Sequence, residues 1–418
     1  MTASKLFKVI FNNKFVIILL VAILVEPAYF QSISFIDTVY DFGRIVVTLV
    51  LAFLAYLYRE KKTNALKILI LMYLFIIINT WLQNGDMKNI IYESFSAIGI
   101  SMLIELGFNF NIKKTLDVIY FLLFCYMILN LLTIFLYPEG MFVSRAGNGM
   151  MTYWQNWFLG YKNYPIRLML PALIIGHVRS YVLGRFTWSN LLLYIVCWIQ
   201  CLLLESSTAT IGMFLFTIGS YFILHIKIVR KLFKFKYIIV MLVIAFFIIV
   251  VFQVQNSMMS YIAGIFGKDI TFTGRVAIWT GSIKAFMKHP FIGYGNVSGE
   301  QFQLISRSIG FHPHNYILFV LVRGGIIELG FNICLIVSIV RKWKKLKGEM
   351  VVYLLILYWA SMMVMGLAES FITTAVFFYP MLILGSNIEK IVVAKESSKN
   401  HYRSKYKIKF GGKWKVIC

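Results

Sequence analysis

The sequence predicts an all-α fold: a polytopic membrane bundle of about 12 transmembrane helices, with a large extracytoplasmic loop containing short helices. Three observations predict it. Sixty per cent of the 418 residues are hydrophobic and only 14% are charged, against about 25% charged in an ordinary soluble domain. The apolar residues fall in runs of about 17–25, long enough to cross a hydrocarbon layer of about 30 Å as helix. Lys and Arg gather between those runs, alternately dense and sparse.

The runs lie at about 9–29, 38–58, 65–83, 90–107, 115–137, 165–184, 188–206, 207–226, 236–254, 314–340, 350–368 and 371–388. The first is followed by Glu26-Pro27 with no small-residue cleavage site, so it reads as a retained span rather than a leader. The seventh and eighth are separated by almost nothing, which demands a tight hairpin. Of the 41 Lys and Arg, 30 fall on one side of this arrangement and 9 on the other, with Arg44 and Arg323 inside spans. The basic side is expected to be cytoplasmic, which places both termini there and requires an even number of spans. The expected location is therefore the cytoplasmic membrane.

Two external loops are long, at about 138–164 and 255–313. The second carries Tyr261, Phe266, Phe272, Trp279, Phe286, Phe291 and Tyr294, too many aromatics for a disordered linker. Within it, Val276, Ile278, Trp279, Ile283, Phe286 and Met287 approximate one face of a short amphipathic helix that Pro290 stops, expected at the outer membrane interface. Residues 1–388 are read as the bundle and 389–418 as a basic cytoplasmic tail without a core.

A net charge of +24 raises the question of nucleic acid. The basic residues sit where they fix topology or meet anionic headgroups, so membrane lipids are the expected partners and nucleic acid is not. Cys125, Cys197, Cys201 and Cys334 lie in apolar runs and Cys418 ends the chain, leaving no external disulfide framework. There is no P-loop or nucleotide signature. His312 and His314 lack an accompanying carboxylate-rich motif, so no metal site is expected.

Several residues have the chemistry of a site. His312-Pro313-His314-Asn315 closes the second loop just before an apolar run. A neutral histidine there suits proton acceptance near pH 7; its plainer role is to cap the helix together with Asn315. Thr273-Gly274-Arg275 and Gly293-Tyr294-Gly295 are glycine turns whose backbone N–H groups, beside an arginine, suit a phosphate. They also read as ordinary turns bounding the amphipathic helix. Arg323 precedes Gly324-Gly325 inside a span, where a guanidinium needs a polar cavity or an ion partner. Glu328 is placed to be that partner, and the double glycine permits a kink. Arg44 pairs most simply with Asp41. Glu205 and Glu369 are functional candidates with structural alternatives. Lys162 and Asn163, with Arg167, form a cationic cluster leading into the sixth run.

Taken in order, Thr273-Gly274-Arg275, Ile278-Trp279, Phe286, His289-Pro290, Gly293-Tyr294-Gly295, His314-Asn315 and Gly324-Gly325 resemble the O-antigen polymerase and ligase superfamily of bacterial membrane glycosyltransferases. Gly160-Tyr161-Lys162-Asn163 is similar to the same family, and the resemblance covers roughly residues 160–330. One departure matters: Ser206-Ser207-Thr208-Ala209-Thr210 lacks the arginine that many relatives carry at span eight. Arg275, Arg323 or Lys162 must then supply that charge.

The resemblance implies glycan transfer at the outer membrane face without metal or cofactor. The donor is an oligosaccharide on a polyprenyl pyrophosphate, and a chain-length regulator and a flippase of the same pathway are the implied partners. In that chemistry His314 is the base and Arg275 the first choice for the pyrophosphate. Arg323, Lys162, Asn163 and Asn315 are binding candidates, and Trp279, Tyr294, Trp154 and Trp157 have faces on which sugars stack. A ligase that moves the finished chain to another acceptor uses the same donor. A lipid-linked oligosaccharide transporter is the non-enzymatic rival, and it calls for broken helices in both halves.

Overall fold

The structure, a computed structural model, describes residues 10–57, 62–145, 153–252, 273–370, 376–405, 407–410 and 413–416. In chain order the helices are α1 (Lys14–Leu24), α2 (Ala28–Gln31), α3 (Ser34–Leu57), α4 (Asn64–Leu82), α5 (Met87–Phe110) and α6 (Ile112–Leu136). After three short strands, β1 (Phe142–Arg145), β2 (Tyr153–Trp157) and β3 (Gly160–Tyr161), come α7 (Ile166–Leu183), α8 (Trp188–Leu203), α9 (Ser207–His225) and α10 (Lys227–Leu232). Next are α11 (Phe235–Phe246), continued by a π turn to Val251, α12 (Thr273–Lys288), α13 (Gly299–Ser306), α14 (Tyr316–Lys345) and α15 (Met350–Gly366). The chain closes with α16 (Phe378–Ser386), α17 (Ile388–Lys405) and the paired strands β4 (Lys407–Phe410) and β5 (Lys413–Val416).

Among the described residues, seven helices are long and apolar enough to cross a membrane: α3, α4, α5, α6, α7, α9 and α14. Four shorter apolar helices accompany them: α1, α8, α11 with its π turn, and α15. An all-α polytopic bundle is therefore present. The twelfth expected run is not one uninterrupted helix. Residues 371–375 lie outside those described, and the remainder forms α16, nine residues that are all buried. The tail also departs from expectation, because α17 packs on α6 and α7 with Ile388 and Ile391 buried.

Polar side chains mark the helix starts. Asn13, Thr63, Asp86, Asn111, Ser206 and Asn315 each accept a hydrogen bond from a first-turn backbone N–H of the helix that follows. Such caps answer donors that lipid cannot. In the bundle α3 packs on α5, α4 on α14, α6 on α7 and α9 on α15. Between helices, Asn130 Nδ2 donates to Gln200 Oε1 at 2.7 Å, and Asn190 Nδ2 to Ser180 Oγ at 2.6 Å. Pairs of this kind tie apolar helices together where hydrophobicity alone cannot select a partner.

One end of the bundle gathers the long loops. Tyr29 N donates to Phe158 O, Trp157 packs with Ile134 and Leu204, and Asp86 N donates to Asn296 O. The described residues of the loop expected at 138–164 carry an antiparallel sheet in the order β1-β2-β3. The tight hairpin between spans seven and eight is present, with Glu205 in a left-handed turn (φ 49°).

The kink expected at Gly324-Gly325 is also present. Gly325 has φ 62° and ψ −155°, which splits α14 into a half-helix, Tyr316–Gly324, and a long continuation. A broken turn inside lipid must find other partners for its backbone groups. Here the turn at 290–295 supplies them. Ile326 N and Ile327 N donate to Pro290 O and Phe291 O; Val322 O and Arg323 O accept from Tyr294 N and Gly295 N. A Cβ on Gly325 would collide with the Phe291 carbonyl, and one on Gly295 with the backbone of Thr80. Both positions need glycine.

Candidate active site

Three segments meet at the loop-rich end: the first turn of α12, the turn before α14 and the residues after α15. Arg275 Nη2 donates to Glu369 Oε1 at 2.9 Å. The other oxygen, Oε2, lies 3.5 Å from His314 Nδ1. The carboxylate is buried (7% exposed) while Arg275 and His314 are both 28% exposed. A buried anion thus organises two accessible groups, one cationic and one basic.

The backbone fixes His314. It adopts φ 48°, a left-handed conformation that a non-glycine residue holds at a cost of about 1–2 kcal/mol. Asn315 follows at the N-cap of α14. Its Oδ1 accepts from Leu318 N and its Nδ2 donates to Leu367 O, both at 2.9 Å. Fully buried, Asn315 ties the half-helix to the segment carrying Glu369. That assignment replaces the expected substrate contact, because both ends of its amide are already engaged.

His312 lies against His314, with ring centroids 3.9 Å apart. Its Nδ1 accepts from Ser370 Oγ at 2.7 Å and from His314 N at 3.4 Å, which leaves the ring proton on Nε2. Burial, with His314, Arg167 and Arg275 nearby, pushes its pKa down to about 3, so it stays neutral. Arg167, at the start of α7, stands 3.9 Å over the Tyr164 ring and within electrostatic range of Glu369.

The remaining candidates fall elsewhere. Arg323 is 2% exposed and held by two carboxylates, Glu328 at 2.6 Å and Glu93 at 3.2 Å. It locks α4, α5 and α14 around the kink, since its own carbonyl also accepts from Asn79 Nδ2. The structural alternative for Arg323 therefore describes it, and a phosphate would have to displace carboxylates already in place. Trp279 has no exposed surface and packs with Val250 and Leu318. On α12 the residues Ile278, Trp279, Ser282 and Ala285 form the buried stripe, which turns the indole away from any sugar. Tyr294 lies against His289 with centroids 4.5 Å apart, its N–H spent on Val322 O. The Gly293-Tyr294-Gly295 turn thus serves the kink rather than a phosphate. Asn163 Oδ1 accepts from Ser206 Oγ at 2.6 Å, which pins the lead-in of α7 to the start of α9. Lys162 is half-buried beside it. Arg44 pairs with Glu26 first and with Asp41 second, at 3.5 Å.

His314 and Arg275 are brought together through Glu369, while Arg323, Trp279 and Tyr294 are not part of that group. The pairing of Glu369 had no local signal, being 94 residues from Arg275. Arg167 was visible only as one more charge near Lys162. The aromatics Tyr261, Phe266 and Phe272 lie outside the described residues.

Residues 192–333 match the family model described as O-antigen ligase, consistent with the O-antigen polymerase and ligase superfamily that the motifs resemble. The match supports a membrane enzyme of O-antigen polymerase or ligase type. It contains Arg275, His314 and Arg323 but neither Arg167 nor Glu369. No curated protein matches the chain.

Proposed function

We propose that this chain, whose residues 192–333 carry the O-antigen ligase signature, is a polymerase of polyprenyl-pyrophosphate-linked oligosaccharide repeat units. It acts at the outer face of the bacterial cytoplasmic membrane, in a bundle of about 12 crossings with both termini inside. The carrying observation is that one buried carboxylate, Glu369, is shared between Arg275 and His314.

The acceptor hydroxyl oxygen attacks the anomeric carbon of the donor chain. The bond from that carbon to the pyrophosphate oxygen breaks, and the polyprenyl pyrophosphate leaves with the electron pair. His314 Nε2 takes the hydroxyl proton, and Glu369 beside Nδ1 stabilises the imidazolium that forms. Charge developing on the leaving group meets Arg275 and Arg167. A guanidinium presents its donors as a planar fork, which suits holding a carboxylate and a phosphate together. The half-helix adds roughly half a positive charge at its N-terminus, beside His314. His312, neutral, does not compete for the proton. The product chain is long by one repeat, and the bare lipid is released.

The family match fits a second reading equally well, in which the same groups transfer a finished chain to a different acceptor. A deletion strain separates the two. Surface glycan reduced to single repeats supports the polymerase; full-length chains left on lipid support the ligase. Normal surface glycan contradicts both.

A further inference from the structure

A run of aromatic rings leads from the surface of the external sheet to the Arg167 guanidinium. Trp154 on β2 is 41% exposed and stacks on Tyr161 of β3, with centroids 5.1 Å apart and planes 28° apart. Tyr161 meets Tyr164 edge-on at 6.4 Å. Tyr164, 37% exposed, lies under Arg167, whose Cζ is 3.9 Å from the ring centroid. Both Tyr161 and Arg167 are within electrostatic range of Glu369, so the inner end of the run lies toward the candidate active site.

Strand register explains the alignment. Trp154 faces Ser144 and Asn156 faces Tyr161, which makes Trp154 and Tyr161 diagonal neighbours on one face of the sheet. The other tryptophan of β2 has a different task. Trp157 is buried with Ile134 and Leu204, and its Nε1 donates to Tyr137 O at 2.8 Å. Trp157 anchors the sheet; Trp154 contributes nothing to that anchor and keeps one ring face outward.

Rings in line with a guanidinium at the inner end match one ligand chemistry: a sugar chain ending in a phosphate. Flat C–H faces of pyranose rings pack on aromatic faces, and the phosphate takes the cation. We propose that Trp154, Tyr161 and Tyr164 form the subsite for the sugars of a lipid-pyrophosphate glycan, with its pyrophosphate end toward Arg167. The subsite rests on the glycosyltransferase reading above, but it lies outside the family-matched segment and predicts a separate effect.

The test measures binding of two probes to the full chain in detergent. One is undecaprenyl pyrophosphate; the other is the lipid-linked repeat unit extracted from a strain lacking this chain. The wild type is expected to bind the sugar-bearing lipid about tenfold more tightly, the increment of one well-placed ring contact. Trp154→Leu keeps apolar bulk without a ring and is expected to lose that increment while binding the bare lipid unchanged. Trp154→Phe restores most of it, which excludes misfolding as the cause. An intact increment in Trp154→Leu, or equal weakening toward both probes, overturns the subsite. Failure of Arg275→Ala to weaken either probe overturns the parent reading instead.

Discussion

Arg275 and Glu369, 94 residues apart in sequence, meet at 2.9 Å, and the second oxygen of that carboxylate faces His314. The pair joins α12 to the segment after α15 and orients the base. Glu369→Gln keeps the shape and removes the charge. We expect glycan transfer to fall about 10²- to 10⁴-fold, the scale of a disabled acid–base group, with thermal stability in detergent within a few degrees of wild type. Unchanged turnover would remove Glu369 from the mechanism.

His314 and Arg275 differ in what their loss does. His314→Ala is expected to leave binding of the lipid-linked donor intact and lower the rate of transfer. Arg275→Ala is expected to lower both binding and rate, the rate by about 10²–10³, as when one charge-stabilising donor is removed. Donor titrations of initial rate separate the two patterns.

Arg323 belongs to stability. Removing one member of a buried ion pair leaves an uncompensated charge and costs about 3–5 kcal/mol. Arg323→Leu, with Glu93 and Glu328 intact, should therefore unfold at markedly lower temperature or fail to accumulate. Adding Glu93→Gln and Glu328→Gln to it should recover much of the loss. Without such recovery, the charge of these carboxylates is not what Arg323 answers.

Gly325 is the hinge of the half-helix. Its φ of 62° and ψ of −155° lie where a Cβ is not tolerated. Gly325→Ala should cost more than about 2 kcal/mol, combining backbone strain with the collision at Phe291. Urea or heat denaturation compared with Gly330→Ala, where a Cβ meets open space, checks the assignment.

His312 makes the site acid-sensitive. Its pKa is lowered from 6.5 to about 3 in the folded chain, so below pH 6.5 the unfolded chain takes up a proton that the folded one refuses. The stability it contributes is complete above pH 6.5 and is lost as pH falls, by about 2 kcal/mol at pH 5. Thermal unfolding between pH 7.5 and 5 should show this loss in wild type and a flatter profile in His312→Gln.

Most of the architecture was legible because lipid imposes it. Apolar runs of span length, the cap at Asn315 and the glycine pair at 324–325 are local features that a bilayer makes decisive. The Arg323–Glu328 pair was legible for the same reason, being five residues apart on one helix. Glu93 was not, since it reaches Arg323 from 230 residues away. The aromatic residues were the least legible. Trp279 and Trp154 look alike in sequence, yet helix rotation buries one among Val250 and Leu318 and strand register exposes the other. Of the site, His314 and Arg275 carried a signal in their motifs, whereas Glu369 stood out only as an acid near the end of a span, with no partner to be read from its neighbours.

The most direct measurement is reconstitution of the purified chain with lipid-linked repeat units, following glycan length over time in wild type, Arg275→Ala and His314→Ala. Wild type should yield lipid-linked chains that grow by whole repeats, with both variants slowed at least about 100-fold. Growth at the wild-type rate in His314→Ala, or no growth in wild type supplied with intact donor, would contradict a cation and an imidazole gathered around one carboxylate as the catalytic centre.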